Sequence, residues 1–187
     1  MFKSGAFRPS ALFSLMADLV SDDFINSILD EIEKLDGSSI SIAEEGKYIT
    51  FTIAGGVFGI SLLKVREILK ITTPTRVVED SSHSRNFIRL RNRMIPVYEL
   101  RSLLEIETAP FTDETCIVIL ETWHDLKLTK FGIIVDSVRK VVNIKEEKMV
   151  AVPEFFTTID VDYLLGMAIV NDNVILLLNT ENIKNLM

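Results

Sequence analysis

The sequence predicts a mainly β protein with one additional N-terminal helix, and three observations support that fold class. Short runs of alternating or continuous apolar residues follow one another at close spacing, turn-forming residues separate them, and helical periodicity is brief after residue 46. Many short strands with close turns are typical of small barrels or a sandwich, and not of a parallel α/β sheet. Because 48% of the 187 residues are hydrophobic, the chain has enough apolar side chains for a sizeable core.

The first predicted element is an amphipathic helix over residues 22–36. Ser21 can cap its first turn, Asp22 suits the positive end of the helix dipole, and Gly37 provides a stop. Apolar residues recur at three- and four-residue spacing: Phe24, Ile25, Ile28, Leu29, Ile32 and Leu35. A helix of about fifteen residues is marginal alone in water. We therefore expect it to dock on its own domain or on a partner, with residues 38–46 as a linker.

The charge distribution separates an N-terminal extension, residues 1–46, from a domain over residues 47–187. The formal net charge is −7, and residues 16–47 contain nine acids against two lysines. The net charge of −7 argues against phosphate-driven nucleic-acid binding, and the domain itself is nearly neutral. The single cysteine, Cys116, excludes an internal disulfide and fits a reducing compartment. The apolar run 11–20 is interrupted by an acid and is too short to span a membrane, so we expect a cytoplasmic protein.

The rest of the sequence predicts a series of strands. Residues 48–53 alternate and are followed by a turn at Ala54-Gly55-Gly56 and a returning strand, 57–60, which together predict a β-hairpin. Residues 61–69 have helical spacing for one or two turns, and the chain becomes extended at Pro74. Further strands are predicted at 116–122, 130–135, 138–144, Leu164–Val170 and 174–178, with turns at 123–125 and 171–173.

The segment 87–104 is basic and contains Pro96 within an apolar run. Because proline cannot donate a ladder hydrogen bond, it predicts an edge strand or a bulge. Asn86 and Asn92 bracket the basic stretch, and asparagine tolerates the positive φ of a tight left-handed corner. Arg91 directly precedes such a corner, so it is either an exposed recognition residue or the partner of a nearby acid.

Signals for chemistry are sparse in this sequence. The only histidines, His83 and His124, have no second His or Cys at zinc-ligand spacing, so no metal or other cofactor is predicted. Cys116 lies among apolar strand residues, where a small buried hydrophobe is the simpler role. An enzyme is therefore the weaker class. The enzyme hypothesis that we keep open is a small β-barrel enzyme whose acid and base come from distant residues, for example Asp136 and Glu67.

Four stretches in a fixed order resemble the CheW family, the adaptors that couple chemoreceptors to the histidine kinase CheA. They are YITFTIAGGVFGISLLKVREI, IRLRNRMIPVYELR, FGIIVDSVRKVV and LLGMAIVNDNVILLLNTENI, and the resemblance covers residues 47–187. It implies two small five-stranded β-barrels packed together, with a receptor-binding groove between them. The chain departs from the family pattern at Asn86 and Asn92, where glycine is usual, and at Arg93 and Tyr98, where smaller or apolar residues are usual.

The resemblance also implies two sets of binding residues. The receptor-facing set carries over to Val65, Glu67, Ile68, Asn86, Arg91, Val138 and Val141. The kinase-facing set carries over to Thr115, Cys116 and Ile117. For the apolar members the simpler alternative is a place in the core. For Glu67 and Arg91 the alternative is mutual pairing with a structural role.

The function implied by this resemblance is a non-enzymatic scaffold in two-component chemotaxis signalling. It would bind the cytoplasmic helical tip of chemoreceptors and a CheA-type kinase at once, without nucleic acid or membrane insertion, and be recruited to membrane-associated receptor arrays. A detached regulatory domain of a CheA-type kinase would share the fold. No kinase sequence precedes the predicted barrels in these 187 residues, and that favours the adaptor.

Overall fold

The computed structural model describes residues 46–71, 78–80, 85–124, 127–153, 157 and 159–185. The predicted helix over residues 22–36, the linker up to residue 45, the extended run at Pro74 and His83 lie outside these ranges, so those predictions stay open.

The described chain forms two β-sheets, which confirms the predicted mainly β class. The first sheet contains β1 (Lys47–Ile53), β2 (Gly56–Ser61), β9 (Ser137–Asn143), β10 (Leu164–Val170) and β11 (Asn173–Leu178). The second contains β3 (Val65–Lys70), β4 (Val78–Asp80), β5 (Arg85–Leu90), β6 (Arg93–Glu99), β7 (Cys116–His124) and β8 (Lys127–Val135). The first sheet has the expected five strands, and the second has a sixth because the short β4 is added at its edge.

Helical structure within the described ranges is limited to short pieces. Helix α1 (Leu100–Leu103) follows β6, and helix α2 (Thr180–Asn185) follows β11. Single 3₁₀ turns occur at Leu62–Lys64, Glu146–Lys148 and Val161–Tyr163.

The strand order shows how the chain divides between the sheets. The first sheet runs β10-β11-β2-β1-β9 and the second runs β3-β7-β8-β6-β5-β4. Neighbouring strands are antiparallel except for two pairs, β2 with β11 and β6 with β8. The chain therefore starts in the first sheet, builds the second sheet from β3 to β8, and returns to complete the first.

Apolar side chains fill three clusters, and their membership shows that each sheet curls. One cluster contains side chains of the second sheet and the residue after β3, another contains side chains of the first sheet and its loop segments, and the largest takes side chains from both sheets. Along β7, Cys116, Val118 and Leu120 enter the shared cluster, whereas Ile117 and Ile119 enter the cluster of their own sheet. A cluster lined mainly by one face of one sheet requires that sheet to wrap around it.

Two tight corners follow the turn chemistry of the sequence. Ala54 and Gly55 join β1 to β2 with φ values of 49° and 81°, and two positive φ values are the pattern of a type I′ hairpin turn. Asn171 and Asp172 join β10 to β11 in the same way, with φ values of 49° and 62°. Both predicted turns are confirmed. The predicted turn at 123–125 is wrong at its start, because Trp123 and His124 belong to β7.

The helical spacing of residues 61–69 gave a wrong prediction. After one 3₁₀ turn the chain enters β3, where Val65 and Ile68 are both buried although they are three residues apart. The pairing of β3 with β7 shifts register between Val65 and Glu67. Such an irregularity reverses the alternation of faces, so a bulged strand imitates helical spacing.

The predictions for the basic segment are partly wrong. Strand β6 is not an edge strand, since it pairs with β5 on one side and β8 on the other. Pairing with β8 involves only residues 97–99, so Pro96 lies just outside that ladder and its missing N–H costs no bond there. Asn92 has a φ of 65° and is a left-handed corner as predicted, but Asn86 lies inside β5.

A buried carboxylate connects three strands of the second sheet. The Glu121 side chain is only 8% exposed; Arg66 Nε donates to its Oε2 over 2.6 Å, and Lys130 Nζ lies 3.2 Å from its Oε1. Burial alone raises the pKa of the Glu121 carboxyl, but the hydrogen bonds and charges of Arg66 and Lys130 outweigh burial, so the pKa lies below its ordinary value. The ionised carboxylate therefore stabilises the fold.

We expect Glu121→Gln to lower the free energy of unfolding by roughly 1.5–3 kcal/mol near neutral pH, as for a hydrogen bond to a charged group. Because the folded-state pKa is depressed, this contribution is complete above the unfolded value of about 4.3 and is lost as pH falls through the folded value. Urea unfolding of both proteins at a series of pH values measures it. Glu147→Gln, at an exposed ion pair, is the matched control. A pH-independent difference would contradict the assignment.

Candidate functional site

Four of the seven receptor-facing residues belong to the apolar cluster that the two sheets share, which we call the seam. Strands β3 and β9 are edge strands of different sheets, and their apolar side chains pack in the shared cluster. Val65 and Val138 have no exposed surface and Ile68 is 3% exposed, whereas Val141 is half-buried at the margin of the cluster. Val65, Ile68 and Val138 are therefore core residues, which is the simpler alternative given above. Their side chains are buried in the seam.

The turn between β5 and β6 brings a charged pair to the rim of the second sheet. Arg91 has a φ of 45° and its side chain is 84% exposed, while Glu67 on β3 is 25% exposed. The Arg91 Nη2 atom lies 3.9 Å from Glu67 Oε2. Surface ion pairs of this kind contribute about 0–1 kcal/mol. Pairing and exposure thus coexist, and Arg91 can leave Glu67 for a partner at little cost.

Asn86 is half-buried near the start of β5, where it lies between Glu79 of β4 and Val97 of β6. Because Asn86 lies within a strand and not at a turn, its side chain is less accessible to a partner than that of a corner residue such as Arg91.

The three kinase-facing residues are all buried at the start of β7. The Thr115 hydroxyl accepts a hydrogen bond from the Thr112 N–H over 2.8 Å, and the Cys116 thiol donates to the carbonyl of Glu114 over 3.2 Å. Burial raises the pKa of Cys116, so its thiol stays protonated and unreactive near neutral pH. Ile117 lies in the cluster of the second sheet. The accessible surface next to these residues is the preceding segment 107–114, which is exposed throughout.

A second ion pair, which sequence reasoning did not find, lies where the chain crosses between sheets. Asp136 separates β8 from β9, and Arg101 of α1 donates to both of its oxygens over 2.9 and 2.6 Å. The Ala54 N–H also donates to Asp136 over 2.8 Å, and Arg101 donates to the Glu107 carbonyl over 2.7 Å. The hydrogen bond to Asp136 is the main cause of a raised pKa of Arg101.

These contacts give Asp136 a structural role. It ties α1, the β1–β2 turn and the crossing from the second sheet to the first. Since both of its carboxylate oxygens are bonded, the geometry gives no support to Asp136 as the base of a barrel enzyme.

In the part of the chain that the structure describes, no group of three or more His, Cys, Asp and Glu side chains could hold a metal ion. Across the same ranges, no helix is long and apolar enough to cross a membrane.

Comparisons with known proteins agree with this architecture. A family model described as the CheW-like domain matches residues 47–186. The chemotaxis protein CheW of Klebsiella aerogenes is 24% identical over 152 residues, covering 81% of this chain and 87% of that protein. The chemotaxis protein CheW of Bacillus subtilis is 33% identical over 108 residues, covering 58% of this chain and 67% of that protein.

A solved structure gives the same result for the fold. The scaffolding protein TtCheW from Thermoanaerobacter tengcongensis superimposes with a TM-score of 0.61 at 28% identity, covering 72% of this chain and 84% of that one. Because the family model covers most of the sequence, and because relatives and fold agree with it, the chain belongs to the CheW-like domain family and is a non-enzymatic adaptor in chemotaxis signal transduction.

Proposed function

We propose that this adaptor couples chemoreceptors to a CheA-type histidine kinase by binding both at once through two faces of the domain. The observation that supports it is the seam, to which β3 and β9 of different sheets both contribute, with the exposed Arg91 beside Glu67 of β3. The chain matches most of the length of a relative that is named as a CheW protein, which favours an adaptor over a detached regulatory domain of the kinase.

We assign the receptor face to the rim of this seam. The buried Val65, Ile68 and Val138 support the surface from beneath, and contact comes from the half-buried Val141, with Glu67, Asn86 and Arg91 as polar members. An apolar surface with a charged rim suits the amphipathic helix of a receptor tip. The planar guanidinium of arginine is well suited to bind carboxylates or amides on that helix.

We assign the kinase face to the start of β7. Thr115, Cys116 and Ile117 are buried, so they act by positioning the exposed segment 107–114 that precedes them. Phe111 in this segment is 48% exposed, and aromatic side chains are common anchors of protein interfaces. Binding of receptor tips at the other face would recruit the adaptor to membrane-associated receptor arrays from the cytoplasm.

Co-sedimentation tests the coupling directly. We expect the full chain to pellet with receptor-containing membranes, and purified kinase to pellet efficiently only when the chain is present, because the adaptor bridges the two. Membranes that lack receptors are the control. Kinase sedimentation that does not depend on the chain would contradict the proposal.

Arg91→Ala tests the receptor face, with Arg89→Ala as the matched control, since both side chains are exposed and both changes remove one positive charge. We expect the free energy of unfolding to change by no more than about 0.5–1 kcal/mol in either variant. Receptor affinity, measured by pull-down titration, should fall roughly tenfold for Arg91→Ala alone, which corresponds to about 1.4 kcal/mol. Equal affinities for both variants would remove Arg91 from the site.

A further inference from the structure

Exposed apolar side chains concentrate along β10, an edge strand of the first sheet. Among the described residues eight large hydrophobic side chains are exposed, and half of them lie on or beside this strand. Val161 is in the 3₁₀ turn that leads into β10. Val150 (51% exposed), Leu165 (52%) and Ile169 (63%) form what we call the β10 strip. Such concentration on one strand differs from the single exposed hydrophobics that are normal on protein surfaces.

The pairing of β10 places members of the strip together. Val150 lies opposite Met167, and the two residues exchange backbone hydrogen bonds of 2.9 and 2.8 Å. Residues directly opposite in a ladder carry side chains on one face, and so do residues two apart along a strand. Val150 and Ile169 therefore share the face of Met167, and Leu165 lies two residues before it, beside a register shift. Natural proteins usually cover or charge such an edge.

The chain contains a segment that can cover this strip and is tethered close to it. The described chain begins at Gly46, whose carbonyl accepts a hydrogen bond from the Ile144 N–H over 2.7 Å. Two residues later, the Tyr48 hydroxyl bonds to the Met149 sulfur over 3.8 Å. Met149 directly precedes Val150 in the sequence. The linker thus enters the domain beside the loop that leads to the strip.

The length of the tether favours the chain's own segment over a second molecule. About ten residues separate the end of segment 22–36 from Gly46. A flexible linker of that length has a root-mean-square span of roughly 18 Å and a maximum near 33 Å. A short flexible linker gives the tethered segment an effective concentration in the millimolar range. At equal intrinsic affinity, a second copy or a partner would compete only at a concentration above about that value.

We propose that residues 22–36 form a helix whose apolar stripe packs on the β10 strip, as an intramolecular cover of this surface. The stripe supplies six large apolar side chains, and the six acids of the segment remain largely on the solvent side. Next to the strip, residues 145–148 contain two lysines and two glutamates, so apolar contact rather than net charge decides the fit.

Hydrogen exchange of the full chain, followed by mass spectrometry over residues 22–36, tests this inference. Ile28→Asp alters the stripe, and Ile169→Asp alters the strip at an exposed position. We expect the segment to exchange roughly tenfold or more faster in both variants than in the unaltered chain, because its helix persists only while docked. Exchange over residues 48–53 reports that the domain itself stays folded.

Two controls match these changes. Asn26→Asp adds the same charge on the opposite side of the predicted helix, and Leu128→Asp alters an exposed apolar residue of the second sheet. Both should leave exchange of the segment unchanged. Equal exchange in Ile169→Asp and the unaltered chain would overturn the proposal, because Ile169→Asp leaves the helix sequence intact. Protection that disappears on dilution would assign the strip to a second copy and also overturn it. Neither result bears on receptor or kinase binding.

Discussion

The shared apolar cluster between the two sheets is the constraint on which the rest of the structure depends. Each sheet curls around its own small interior, but neither interior contains the aromatic side chains Phe51, Phe58 and Phe131, which all lie in the shared cluster. Residues 116–120 of β7 are buried on both faces for this reason, and they form a continuous apolar run rather than an alternating one. The two sheets therefore share a core in addition to the interior of each.

This constraint suits an adaptor because binding partners need a fixed relation to one another. The crossing from β8 to β9 is held by the bonds of Asp136 to Arg101 and to the Ala54 N–H, which connect elements of both sheets at one corner. A two-pronged hydrogen bond between arginine and a carboxylate restrains orientation as well as distance. The two sheets are thus held in a fixed relation by packing and by this corner.

Much of the fold was predictable from local patterns. The β1–β2 hairpin follows alternation and turn residues, and the strands from β7 onward follow apolar runs separated by turn residues, because local backbone preferences and burial agree there. The prediction failed where a long-range pairing changes the local rule. The bulge in β3 gave Val65 and Ile68 helical spacing, and partial pairing of β6 allowed Pro96 in an interior strand. The ion pair of Glu121 with Arg66 joins residues that are 55 positions apart in the sequence, and no local pattern predicts it.

The same limit of local patterns applies to the candidate site. A resemblance identifies positions, but exposure depends on which face of a strand meets the other sheet, and that is a property of the assembled fold. For Arg91, recognition of a partner and pairing with Glu67 do not exclude each other, because a surface pair at 3.9 Å is weak enough to allow both. Because the pair is weak and the guanidinium stays exposed, Arg91 can exchange Glu67 for a carboxylate or amide of a partner.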